Sequence, residues 1–300
     1  MDLRRRTFLV SAAASAASFR IGPIWAQNPG RSPSGIPVIA ECETVFLGAT
    51  AYALGASLKN PAKTVVVEQS LMLVPEFSGA LLPNVLCAAE TEIAAAVRER
   101  IEKENLQGNG RYHAPPVSDV VSALVLFRKA NLFLNANVAD IQKTDNKFVL
   151  DIIGMDGYSR IIAERVVDTT PTAWRNAGAK AIKEKFFAAP LVGSYSGDLG
   201  RFATDRWSVV PGALPGETIF KVRLAADSDW CDARLELYAA YEKMLAKDKT
   251  FCIGGEATAL GHVYRESRAD STFIPGVAWH PGAQHPDLMN ALSAGELCSK

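Results

Sequence analysis

Two of the chain's four histidines, His280 and His285, fall in one segment, Trp279-His280-Pro281-Gly282-Ala283-Gln284-His285-Pro286. Imidazoles titrate near neutral pH, so such a pair can act as general acid or base. The Pro and Gly content reads instead as a surface loop, and without a nearby third ligand the pair does not complete a metal site. His113 and His262 stand alone and read as structural or exposed residues. The five cysteines, at 42, 87, 231, 252 and 298, show no close pairing. They read as buried free thiols, with one or two disulfides left open. No Gly-x-Ser-x-Gly elbow, Walker lysine loop or Cys-x-x-Cys pair occurs. Hydrolase, phosphoryl-transfer and dithiol-redox chemistry therefore lack their residues. No catalytic residue can be assigned from these groups.

The elements that would position any site begin after a distinct N-terminal segment. Arg4-Arg5-Arg6-Thr7-Phe8-Leu9 followed by an Ala-rich apolar run to Ala26 has the parts of an export signal and looks like a twin-arginine type. Arg20 and Pro23 interrupt the run, which is short for a membrane span. The expectation is a signal at 1–26, removed to leave a periplasmic or secreted protein without a membrane span, and a flexible leader at 27–40 rich in Pro, Gly and Ser. Lys plus Arg equals Asp plus Glu, 32 each, and the basic residues are dispersed, which argues against a nucleic-acid partner.

Beyond the leader, residues 44–47 (TVFL) and 63–68 (KTVVVE) are short apolar runs suited to buried strands. Between them lie Gly48 and a small-residue helix at 49–58, so the stretch reads as one βαβ unit. Helices are expected at 90–105 and 117–129, and a third parallel strand at 131–134. Three short strands follow at 137–143, 147–154 and 159–163, with Asp145-Asn146 and Asp156-Gly157 as turns, an antiparallel β-meander. A further buried strand is expected at 164–168 (ERVVD). The later chain offers a strand at 218–224 and a helix at 229–247 with Leu235, Tyr238, Tyr241 and Leu245 on one side.

A βαβ unit alone defines no function, but a meander before the next core strand is distinctive. This order resembles the FAD-dependent oxidoreductases of the glutathione-reductase-like superfamily over about residues 44–179, including the run Ala163-Glu164-Arg165-Val166-Val167-Asp168-Thr169-Thr170 and Ala177-Gly178-Ala179. The resemblance implies site roles position by position. Gly48 would make the turn after the first strand, Thr50 would stand where the diphosphate nears the backbone, and Ala53 would allow close helix–strand packing. Glu68, twenty positions after Gly48, would meet the adenosine ribose. Ser78 and Gly79 would pass near the diphosphate, Val138 near the adenine, and Asp168, Thr169 and Thr170 would line the cofactor. Gly255 and Glu256, in the run TFCIGGE, resemble the element that caps the ribityl chain.

The departures are physical. The turn reads Gly48-Ala49-Thr50-Ala51-Tyr52-Ala53, one glycine where the fingerprint has three, and Thr50 places a β-branched side chain where a phosphate must approach the amides. The expected architecture is α/β: an FAD/NAD(P)-binding Rossmann-like domain with a three-stranded β-meander at 41–189, a smaller cap or substrate region at 190–248, and a segment at 249–300 returning to the first domain. The resemblance implies an exported FAD-dependent oxidoreductase taking a hydride from a small organic substrate. The alternative is a non-catalytic exported subunit or binding module that keeps the fold, has lost FAD, and is completed by a partner subunit.

Overall fold

The computed structural model describes residues 35–81, 85–193, 197–246, 249–265 and 274–298. The expected signal at 1–26, and residues 27–34 of the leader, lie outside the described residues. The β-branched runs build the first sheet. β1 (Val38–Leu47), α1 (Ala51–Lys59) and β2 (Thr64–Val67) form the βαβ unit, with Val45 beside Val65 in parallel register. A π-helical turn (Pro75–Gly79), α2 (Glu92–Lys103), a short ribbon β3 (Gln107–Gly108) and β4 (Arg111–Tyr112), and α3 (Val117–Arg128) lead to β5 (Asn131–Phe133), parallel to β2. The meander is β6 (Asn137–Thr144), β7 (Lys147–Gly154) and β8 (Gly157–Asp168).

The chain then crosses to a second, antiparallel sheet. Its strands are β9 (Ile182–Val192), β10 (Trp207–Pro211), β11 (Thr218–Leu224), β12 (Cys252–Ile253) and β13 (Gly261–Tyr264), with α4 (Trp230–Leu245) packed on β11 and β9. β9 is its spine, pairing with β11, β12 and β13. Finally β14 (Ala278–Trp279) and α5 (Leu288–Cys298) return to the first sheet. Among the described residues the first sheet runs β5-β2-β1-β8-β7-β6, with β14 parallel to β8 at Val167 and Asp168. The fold is thus α/β, a parallel Rossmann-like sheet extended by a three-stranded meander, beside a smaller antiparallel sheet.

Several elements differ from the sequence expectation, each for an identifiable reason. β1 begins at Val38, inside the stretch assigned to the leader, because residues 38–43 pair with β8 from Arg160 onward. The third meander strand and the run 164–168 are one strand, β8, whose first half pairs with β7 while its length runs beside β1. β9 begins at Ile182, and β12 and β13 also lie in the second sheet, so only β14 and α5 of the later chain return to the first. On α4 the buried stripe is Ala233, Leu237, Ala240 and Met244, whereas Leu235 is 72% exposed and Tyr238 43%. Leu237 and Met244 of this stripe are fully buried, and Tyr241 of the expected stripe packs partly buried against the same core. All five cysteines are free, but none is fully buried: Cys42, Cys87 and Cys298 are half-buried, and Cys231 and Cys252 are exposed.

α1 is buried from Ala51 through Leu58, as expected of a helix apolar on every side. β-Sheet packs on one face and α5 on the other. Gly55 and Gly295 permit that second contact: a Cβ on Gly55 would overlap the Leu292 carbonyl, and one on Gly295 would overlap the Tyr52 carbonyl. α5 also caps α2, since the Glu296 carboxylate accepts the Ile93 N–H at 2.8 Å and pairs with Lys59 at 3.3 Å. These contacts hold the Glu296 carboxyl below its usual range despite burial, which opposes them. Gly295→Ala must push the two helices apart and is expected to cost about 3 kcal/mol or more, read as a lower urea midpoint. Gly154→Ala, which meets open space, serves as the reference and should shift stability by less than about 0.5 kcal/mol; equal losses in the two variants would contradict the backbone contact.

Candidate functional site

A helix N-terminus leaves backbone N–H groups unpaired and carries a partial positive charge, so it attracts an anion. At the start of α1 the protein provides the anions itself. Gly48 turns the chain with φ +92°, a conformation suited to glycine, and its N–H donates to the Val67 carbonyl at 2.8 Å. The next N–H, of Ala49, donates to Glu68 Oε2 at 2.7 Å, and Ser70 N–H donates to the other Glu68 oxygen at 2.8 Å. Ala51 N–H donates to Glu76 Oε1 at 2.7 Å. Thr50 is the N-cap, its hydroxyl oxygen accepting the Ala53 N–H at 3.3 Å.

Glu76, which sequence reasoning did not single out, is the central group here. It sits on the π-helical turn, is 7% exposed, and its Oε2 has no hydrogen-bond partner. Burial pushes its carboxyl up to about 7; the Ala51 N–H works against that rise, and the neighbouring Glu68 adds to it. The only signal for it in the sequence is an acidic residue after Pro75 in PEFSG, which has no fixed spacing from α1.

The other residues implied by the resemblance are also engaged by the chain. Thr169 Oγ1 donates to the Leu47 and Gly48 carbonyls at 2.7 and 3.0 Å, tying the ends of β8 and β1 together. Asp168 accepts the Thr170 N–H at 2.9 Å and its hydroxyl at 2.6 Å, and also accepts the Trp174 N–H. Its carboxyl is raised by burial, with those three bonds opposing. The Val138 carbonyl accepts the Trp174 indole N–H at 3.2 Å, so an indole ring stands at the place implied for adenine. Ser78 donates to the Leu73 and Val74 carbonyls, and the Gly79 carbonyl accepts the Thr258 N–H at 2.8 Å. Ala53 is fully buried in α1. Gly255 and Glu256 are not brought to this place: Gly254 and Ala257 bond to β9 on either side of them, and Glu256 pairs with Arg234 and Tyr238 of α4.

The segment around His280 and His285 is no free surface loop. His280 N–H donates to the Asp168 carbonyl at 2.7 Å and Gly282 N–H to the Thr169 carbonyl at 3.0 Å. The His280 ring stacks on Tyr52 with centroids 3.9 Å apart, and His285 lies 5.7 Å from the same ring. A Cβ on Gly282 would stand 2.5 Å from Thr50 Cβ, so the turn that follows β14 lies directly on the α1 N-cap. His113 pairs with Glu217 at 2.7 Å, away from this cluster. Among the described residues no group of three or more His, Cys, Asp or Glu could hold a metal ion.

No protein-family profile and no curated protein matches the sequence. Solved structures do match in fold. A geranylgeranyl bacteriochlorophyll reductase-like protein from Thermoplasma acidophilum shares 15% identity at a TM-score of 0.59, over 87% of this chain and 77% of that one. p-Nitrophenol 4-monooxygenase from Pseudomonas putida shares 16% identity at a TM-score of 0.53, over the same shares of the two chains. A flavoprotein/dehydrogenase from Cytophaga hutchinsonii shares 12% at a TM-score of 0.50, over 85% and 76%. The likeness is to the flavin-type fold of monooxygenases and reductases broadly rather than to the glutathione-reductase branch in particular.

The residues present do not fit FAD at the place this fold implies. A diphosphate over Gly48 would meet Glu76 on the Ala51 amide, Thr50 in place of a glycine, and the Gly282 turn against it.

Burial gives Glu76 a pH signature. Its carboxyl moves from about 4.5 unfolded to about 7 folded, so the folded state holds the extra proton between those values. Stability from this group is full below pH 4.5 and is lost as pH rises through 7, by an amount on the order of 3 kcal/mol. His262, pushed down to about 4 by burial with Lys185 adding to the effect, contributes the opposite slope over an overlapping window. The readout is therefore the stability of Glu76→Gln minus that of the parent. This difference should rise between about pH 4.5 and pH 7 and level off above that in chemical denaturation; a flat difference would show that Glu76 is not buried as described.

Proposed function

We propose that this chain is a non-catalytic exported protein that keeps the flavin-type fold without holding FAD, and serves as a binding module or subunit. The observation that carries this reading is the Glu76 carboxylate on the Ala51 amide, an internal anion at the helix terminus that the fold would otherwise offer to a diphosphate. Trp174 at Val138 and the Gly282 turn on Thr50 support it at the two neighbouring places. A subunit role is supported by the outer stripe of α4, where Trp230, Leu235 and Tyr238 are exposed. Export rests on the residues Arg4 to Leu9 and the apolar run after them.

The second reading, an FAD-dependent oxidoreductase acting on a small organic substrate, is favoured by the fold shared with a monooxygenase and a flavoprotein/dehydrogenase and by the position of Glu68 at the end of β2. The two separate in one measurement. The full chain, expressed with its own N-terminal segment and purified without added flavin, should be colourless and should leave the fluorescence of added FAD unquenched. Flavin bands that weaken on Glu68→Ala would establish the oxidoreductase reading instead. Export is tested by replacing Arg5 and Arg6, the pair directly before Thr7-Phe8-Leu9, with lysine, which should hold the protein in the cytoplasmic fraction; unchanged periplasmic yield would remove the twin-arginine assignment.

A further inference from the structure

Between the α1 terminus and the second sheet lies a cavity of about 150 Å³, lined in part by Glu76, Phe77, Phe186, His262, Ala283 and Pro286. Two of its walls carry polar atoms that nothing in the protein satisfies, Glu76 Oε2 and His262 Nδ1. Unpaired buried polar atoms are uncommon and costly, so two on the wall of one cavity call for a hydrogen-bonding occupant. His285 also lines the cavity, its ring already bonded to His280 and Gln284; the other walls are aromatic or aliphatic, and a dry cavity of about this size in another protein takes a benzene-sized ligand.

We propose that this cavity binds a small primary amine, as its ammonium ion, with an apolar body of about three to five carbons. Glu76 Oε2 accepts one ammonium N–H and supplies the opposite charge, while its Oε1 stays on Ala51. With the ring proton on Nε2, His262 Nδ1 accepts a second N–H. An ammonium has three donors and no acceptor, matching a wall that offers acceptors. A carboxylic acid or phosphate ligand would instead face Glu76 and, behind it, Glu68. The nearby Lys185 is tied to the Ser228 carbonyl at 2.7 Å. Phe77 and Phe186 receive the alkyl chain. The proposal rests on the reading that FAD does not occupy this end of the fold, since the cavity lies at the same helix terminus.

The test is calorimetric titration of the full-length protein at pH 8, where the Glu76 carboxyl is ionised, with propylammonium chloride, and with propanol and tetramethylammonium as matched probes. Propylammonium should bind saturably with a dissociation constant on the order of millimolar, and the two controls should give no saturable heat. Glu76→Gln should weaken binding at least tenfold, and Ala283→Leu, which fills the cavity and leaves the carboxyl at position 76 in place, should abolish it. Absence of propylammonium binding, binding equal to that of propanol, or binding retained in both variants would overturn the site. The visible spectrum of the same preparation separates this from the functional reading. A flavin-loaded protein that still binds propylammonium through Glu76 overturns only the FAD-free reading, whereas a colourless protein that ignores the amine overturns only the site.

Discussion

The structure turns on how the first amides of α1 are paired. This helix is enclosed along its length by the sheet and by other helices, so its opening N–H groups have little recourse to water and must find acceptors within the protein. Glu76 provides one for Ala51 and the Thr50 hydroxyl one for Ala53, while Glu68 takes the Ala49 N–H just ahead of the helix. Glu68 lies at the end of β2, where it fixes that strand against the turn after β1; Glu76 anchors the π-helical turn beneath the second sheet. Each bond therefore joins an element boundary as well as satisfying a donor, and carboxylate acceptors are the stronger kind.

The joint between the two sheets extends from this centre. Where a nucleotide-binding fold holds backbone open for a ligand, here the chain brings its own backbone up. The Gly79 carbonyl receives Thr258 and Ala259, the Thr169 carbonyl receives Gly282, and the Asp168 carbonyl receives His280. The small residues in these loops thus serve self-contact, and the cavity beside Glu76 is the space left where the surfaces do not quite meet.

The elements nearest in sequence were the most legible. TVFL, KTVVVE and NLFL are short apolar runs flanked by polar or turn residues, and they form the parallel core in the expected order; the turns Asp145-Asn146 and Asp156-Gly157 mark the meander. The start of β1 was hidden because residues 38–43 are only half-buried and mix apolar with charged side chains. On α4 both stripes carry large apolar groups, so periodicity alone did not choose between them: Leu237 and Met244 are buried while Leu235 and Tyr238 face out. At the site, Gly48 and the odd Thr50 could be read from spacing. Glu76 could not, because its bond spans twenty-five residues through a loop of irregular length. Nor could Tyr52 beside His280, a stacking that depends on the chain's return from the second sheet.

That return has a kinetic side. α1 forms early in the chain, yet its outer face is covered by α5, whose Gly295 meets the Tyr52 carbonyl. A nascent chain that has made the βαβ unit must hold a bare apolar helix face until residues 288–298 have left the ribosome. Contacts so distant in sequence raise the contact order and slow folding, and the exposed face invites aggregation in the interval. Synthesis of this protein should accordingly depend on chaperone occupancy of that face, and truncation within α5 should yield a chain that is degraded rather than one that is merely less stable.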